Sequence, residues 1–174
     1  GYYAFKLRAK PLIASLDRED GRLSVWVCND TLRPREGSYR LTALDTCTGD
    51  SQLLLSGSFQ VADNCAQRIG ETAISGSGAD TVYRCEITCG SEQDVAWYAS
   101  PAFYRHRRNA PVVTMTRPAD NTICVTAKEY VQCVALDGGG VFSDNYFPLM
   151  PGEDRLVTFT PRAGIPSEIL CCGY

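Results

Sequence analysis

The sequence predicts an all-β chain folded as antiparallel sandwiches, and three observations carry the prediction. Polar and apolar residues alternate with period two in short stretches along most of the chain. Clusters of Gly, Asn, Asp and Pro part these stretches at intervals of roughly eight to twelve residues, the spacing of sandwich strands. Only Tyr2-Tyr3-Ala4-Phe5-Lys6-Leu7-Arg8-Ala9-Lys10 offers a helical piece, and Pro11 ends it.

The elements follow in order. Arg22-Leu23-Ser24-Val25-Trp26-Val27 alternates, and Asn29-Asp30 marks a turn. Ser38 to Leu44 alternates again before the turn Thr48-Gly49-Asp50. Leu53 to Val61 reads as a longer strand, Asp80 to Thr88 and Val95 to Tyr98 as two more. The charged cluster Arg105-His106-Arg107-Arg108 with Asn109-Ala110-Pro111 reads as a boundary. Strands restart over Val112 to Met115, Thr122 to Thr126, Tyr130 to Leu136, Leu156 to Thr160 and Glu168 to Cys171. Pro118-Ala119-Asp120-Asn121, Asp137-Gly138-Gly139-Gly140, Pro151-Gly152 and Ala163-Gly164 are the turns between them. The expected division is a helix or linker over 1–10, a first sandwich over 11–108 and a second, smaller one over 109–174. A unit that small buries a modest share of its surface, so the second is expected to lean on the first or on another part of a larger protein.

Composition agrees with packed domains: 44% of residues are hydrophobic, 21% are charged, and the net charge is -3. No uncharged apolar run approaches the roughly 18–20 residues that span a bilayer, so no membrane partner is expected. No charged-then-apolar signal segment opens the chain. It starts Gly1-Tyr2-Tyr3 and reads as a piece of a longer protein. The single basic cluster, at 105–108, falls short of the spaced contacts that phosphate binding needs, so no nucleic-acid partner is expected.

Nine cysteines are present, with no C-x-x-C spacing and one histidine, His106, so no metal site is expected. Cys28, Cys124 and Cys133 sit within strand patterns where a small apolar residue would serve. Free thiols in a reducing, cytoplasmic setting are the expectation, with disulfides in a secreted protein as the alternative.

A search for chemistry leaves little. One histidine between arginines excludes most Ser-His and Cys-His schemes. There is no G-x-S-x-G, P-loop or H-E-x-x-H. Gly76-Ser77-Gly78 reads as a loop because no strand-to-helix unit surrounds it. Asp137 to Asn145 fails the calcium-loop spacing, and 137–140 reads as a hairpin turn. Asn29-Asp30-Thr31 is a formal N-glycosylation sequon. Trp97, Tyr98 and Tyr104 are the aromatic candidates for carbohydrate contact. Trp97 and Tyr98 must face opposite sides of one strand, and Trp97 is assigned to the core. Trp26 is read as a core tryptophan of the kind that anchors many sandwiches.

Two motif sets resemble a known family. Tyr2 to Pro11, followed by Leu23-Ser24-Val25-Trp26-Val27-Cys28-Asn29-Asp30-Thr31, resembles the stretch after the catalytic barrel of β-mannosidase-type enzymes of glycoside hydrolase family 2. Phe142-Ser143-Asp144-Asn145-Tyr146-Phe147-Pro148-Leu149-Met150-Pro151-Gly152-Glu153, with Val157-Thr158-Phe159, is similar to their closing domain. The resemblance implies two immunoglobulin-like β-sandwiches in tandem, with residues 1–10 a remnant of the last barrel helix or a linker. The implied partners are the catalytic barrel and N-terminal domains of the same polypeptide. No cofactor is implied. The implied role is non-catalytic: to pack on the barrel and support it. The family's acid/base and nucleophile are glutamates on that barrel, and no Asn-Glu pair occurs here. Cys28 departs from the branched aliphatic residue usual at its position.

The motifs also have a physical reading of their own. Asn29, Asp30, Asp144 and Asn145 have short side chains that can bond nearby backbone. Pro151-Gly152 suits a turn. Phe142, Tyr146, Phe147 and Leu149 are expected as apolar anchors. Two rival readings stand beside the accessory role: a carbohydrate-binding module and an extracellular adhesion-type pair.

Overall fold

The computed structural model describes residues 9–74, 80–100, 111–162 and 169–173. These residues form fourteen strands and no helix. The helix expected at the start falls on residues outside this range, except for Ala9 and Lys10, which are not helical. Contacts divide the chain into two compact units. Of the described residues, one holds 9–45 and 50–100, the other 46–49, 111–162 and 169–173.

The first unit has seven strands: β1 (Leu12–Glu19), β2 (Arg22–Asn29), β3 (Arg35–Asp45), β4 (Ser51–Val61), β5 (Cys65–Ala73), β6 (Thr81–Cys89) and β7 (Glu92–Ala99). They form two antiparallel sheets, ordered β1-β2-β5 and β4-β3-β6-β7. This is an immunoglobulin-like sandwich, with alternate residues of each strand directed into one core. Leu23, Val25 and Val27 of β2 are fully buried, as are Leu41 of β3 and Cys85 of β6. Each such aliphatic side chain contributes about 1.5–3 kcal/mol relative to an exposed one.

β1 and β5 are not foreseen from the sequence. β1 is joined to β2 by the two-residue loop Asp20-Gly21, with φ of 48° and 74°. Positive φ at both central residues makes a type I′ hairpin turn, for which Asp-Gly is a strong signal. β5 escapes notice because it is short of apolar residues and bulged where Val25 and Trp26 meet it.

The second unit has β8 (Val113–Ala119), β9 (Thr122–Ala127), β10 (Val131–Gly138), β11 (Gly140–Phe142), β12 (Phe147–Leu149), β13 (Asp154–Pro161) and β14 (Ile169–Gly173). Its sheets run β11-β13-β9-β8 and β12-β10-β14. Ile123, Val125, Val131, Val134, Leu149 and Val157 form the centre of its core.

Two expectations are corrected here. Residues 137–140 are not a hairpin turn: β10 and β11 lie in different sheets, and β11 pairs with β13. The chain crosses between layers at Gly139, and Gly140 packs tightly. A Cβ there would lie 2.4 Å from the Phe159 ring and 2.4 Å from the Thr160 carbonyl oxygen. The strand expected to end at Met115 instead continues through Pro118 to Ala119. A register shift between Thr116 and Ala119 absorbs the residue that cannot donate a ladder bond.

Candidate functional site

Two asparagine-centred loops and two outer sheet faces carry the side chains singled out from the sequence. Asn29 ends β2 and is fully buried. Its Nδ2 donates to the carbonyls of Arg33 (2.9 Å) and Ala62 (2.8 Å), so both amide hydrogens are used. Its Oδ1 accepts from the Thr31 backbone N–H (3.1 Å) and the Thr31 hydroxyl (2.7 Å). Asp30 is exposed, and its N–H donates to the Pro11 carbonyl at 2.9 Å. Asn29 thus closes the β2–β3 connection onto the end of β4, satisfying carbonyls that no strand reaches.

The second loop joins β11 to β12. Asn145 is buried, and its side chain pairs with the backbone of Leu136 in both directions. Oδ1 accepts the Leu136 N–H at 2.7 Å, and Nδ2 donates to the Leu136 carbonyl at 2.7 Å. The amide thereby imitates one residue of a neighbouring strand. Oδ1 also accepts the Tyr146 N–H at 2.9 Å, and Tyr146 sits at φ 60°. Asp144 accepts the Asn145 N–H on one oxygen and the Arg155 guanidinium on the other. Phe142, Phe147 and Leu149 are buried, whereas Tyr146 is 54% exposed, so it is not an anchor of the core. The left-handed backbone that lets Asn145 reach β10 turns the next side chain outward.

Pro151 and Gly152 occupy the central positions of a turn closed by Glu153 N–H to the Met150 carbonyl at 3.0 Å. The Glu153 carboxylate returns the bond, accepting the Met150 N–H at 3.1 Å. Gly152 has φ 73°, which a type II turn requires at its third residue.

The aromatic candidates separate. Tyr98 packs on the first core, with its ring 6.1 Å from that of Tyr83. Trp97 points the other way and is not a core residue. It lies opposite Arg84 on β6, whose guanidinium sits 5.4 Å from the indole centroid. Arg84 also holds Glu86 at 2.9 Å. Trp26 is likewise outside the core: Val25 and Val27 take the inward positions, leaving the indole half-buried on the outer face of β1-β2-β5. It stands in register with Ser15 and Arg68. On the same face, the adjacent row carries Ser24 and Glu71. Arg22 and Arg68 both contact the Glu71 carboxylate, and the Arg22 hydrogen bond leads in holding it below the usual carboxylate range. Sequence reading missed this cluster because β5, which supplies half of it, was not recognised. Tyr104, His106 with its flanking arginines, and Gly76 to Gly78 lie outside the described residues.

No cluster of three or more metal-ligating side chains occurs among the described residues. No described helix is long and apolar enough to cross a membrane. No disulfide joins any two of the nine cysteines. Cys85 and Cys89 are buried, while Cys28, Cys124 and Cys133 are half-buried rather than core residues. Burial pushes the Cys85 thiol up to about 12, so it stays protonated and unreactive at neutral pH.

Comparison with known proteins places this geometry. Residues 108–170 match the Ig-fold domain family Ig_mannosidase. The fold of the chain is similar to part of the β-D-mannosidase of Dictyoglomus thermophilum, at TM-score 0.72 and 15% identity, over 99% of this chain and 23% of that one. It is similar to part of the exo-chitosanase of Amycolatopsis orientalis, at TM-score 0.62 and 15% identity, over 99% of this chain and 26% of that one. The chain thus spans about a quarter of the length of these solved structures. No curated protein matches it. The resemblance to mannosidase-type enzymes holds in sequence over the second sandwich and in fold over nearly the whole chain.

Proposed function

We propose that the chain is the non-catalytic, tandem β-sandwich region of a glycosidase resembling the β-mannosidases of glycoside hydrolase family 2, where it packs on the catalytic barrel and supports it. The observation that carries this reading is the joint match: an Ig_mannosidase domain at 108–170, inside a fold that aligns over 99% of the chain with about a quarter of a β-mannosidase. The carboxylates agree. Glycoside hydrolysis by paired carboxyls needs an acid with a raised pKa, facing a second carboxyl at about 5–9.5 Å. Here Glu71 is shifted the opposite way, between two arginines. Asp94 is bound to Lys10 and the Ala14 N–H, and Asp144 to Arg155. All three carboxylates are engaged in ion pairs within the sandwiches, which suits a supporting role. The test is to incubate the purified chain with 4-nitrophenyl β-D-mannopyranoside and β-D-glucosaminide. No turnover above buffer is expected. Turnover abolished by a glutamate substitution within the chain overturns the proposal.

A second reading, carbohydrate binding, is favoured by Trp26. An indole on an outer sheet face, beside Arg68, Ser24 and the Glu71 carboxylate, offers an apolar surface and hydrogen-bonding groups suited to a pyranose ring. Titration with manno-oligosaccharides, followed by tryptophan fluorescence, tests it. A saturable change that disappears in Trp26→Ala but persists in Trp97→Ala supports this reading. No change at millimolar sugar removes it.

A further inference from the structure

Asn29-Asp30-Thr31 is the one N-glycosylation sequon in the sequence, and the structure gives its acceptor nitrogen another use. N-glycosylation replaces one hydrogen of the asparagine Nδ2 with a bond to the anomeric carbon of a sugar. The glycosyl group leaves a lipid-linked diphosphate, which takes up the proton. In the folded chain neither Nδ2 hydrogen is available: one is donated to the Arg33 carbonyl and the other to the Ala62 carbonyl, at 2.9 and 2.8 Å. The residue has no exposed surface. A sugar bonded to Nδ2 would have to stand where one of these two carbonyls now stands. That carbonyl would lose its donor, and the connection from β2 to β3 would be pushed off β4. The other sequon determinant is committed as well, since the single Thr31 hydroxyl hydrogen faces two acceptors, Asn29 Oδ1 at 2.7 Å and the Arg33 carbonyl at 2.9 Å.

We propose that folding of the first sandwich and glycan attachment at Asn29 exclude one another, so that the sequon is an acceptor only in the unfolded chain. In a eukaryotic secretory pathway the motif then sorts molecules: those modified during synthesis cannot close the β2–β3 loop, and those that fold stay bare. The proposal is independent of the accessory reading of function, because it depends on the Asn29 contacts alone.

The test is secretion of the chain from a eukaryotic host behind an added signal peptide, beside a Leu41→Asp chain in which a charge replaces a fully buried core leucine. A peptide N-glycosidase in heavy-oxygen water converts a glycosylated asparagine to a labelled aspartate, and mass spectrometry reads occupancy at position 29. The expected result is occupancy in the Leu41→Asp chain and none in the monomeric wild-type fraction that melts cooperatively. A glycan at Asn29 in that folded fraction overturns the proposal. So does a Leu41→Asp chain as bare as the wild type, because the local sequence rather than the fold would then close the site.

Discussion

Asn29 and Asn145 each use one side-chain amide to satisfy backbone groups, Asn29 in two loop segments and Asn145 on one residue of β10. Truncating Asn145 to alanine strands the Leu136 N–H and carbonyl together. On the order of 3 kcal/mol of stability is lost, read as a fall in the urea midpoint. Asn145→Asp separates the two bonds. The carboxylate still accepts from Leu136 N–H but repels the Leu136 carbonyl, so the buried acid is raised in the folded state. Stability is then greatest when the acid is protonated and falls as pH rises through that raised value. Melts at pH 4 and pH 7 should show the variant closer to wild type at the lower pH. Glu71 has the opposite sign. Its folded value is depressed, chiefly by Arg22, so its contribution is present above the ordinary carboxylate range and is lost as pH falls through the folded value. Glu71→Gln should flatten the acid limb of a stability–pH curve. The short polar motifs were legible in the sequence because Asn, Asp and Gly act on backbone within a few residues. The tryptophans were misread for a physical reason. Period two does place Trp26 opposite Val25 and Val27, but which face is covered depends on partners distant in sequence.

Strands show the same division between local and distant causes. β2, β3, β6 and β9 carry their own alternation, and the sequence pattern found them. β5 and β11 exist because of what they pair with, β2 and β13 respectively, and their own residues say little. Gly140 illustrates the constraint at the crossing between sheets. In Gly140→Ala the new methyl meets a backbone carbonyl as well as a ring. The expected cost is about 2 kcal/mol or more, with the second unit's transition shifted in a thermal melt. Gly152→Ala forces a side chain onto a φ of 73° and should cost about 1 kcal/mol, with no clash to add to it.

At the scale of the molecule, six of the ten strand pairings among the described residues join strands that do not follow one another in the chain, so both cores depend on contacts distant in sequence. The thiols report on that packing. Cys47 and Cys172 are exposed and should alkylate in the native chain. Cys85 and Cys89 should react only on unfolding, and nine free thiols should appear in denaturant. Fold class was readable from patterning, since a sandwich repeats its signal in every strand. Function was not, because one fold hosts many functions and the strand pattern that announces a sandwich names no chemistry.

The most direct measurement is the coding sequence upstream of Gly1, read to its start codon. The account predicts several hundred residues of alternating strand and helix pattern, with two glutamates at strand ends. A signal peptide lying immediately upstream would contradict it and leave binding or adhesion as the function.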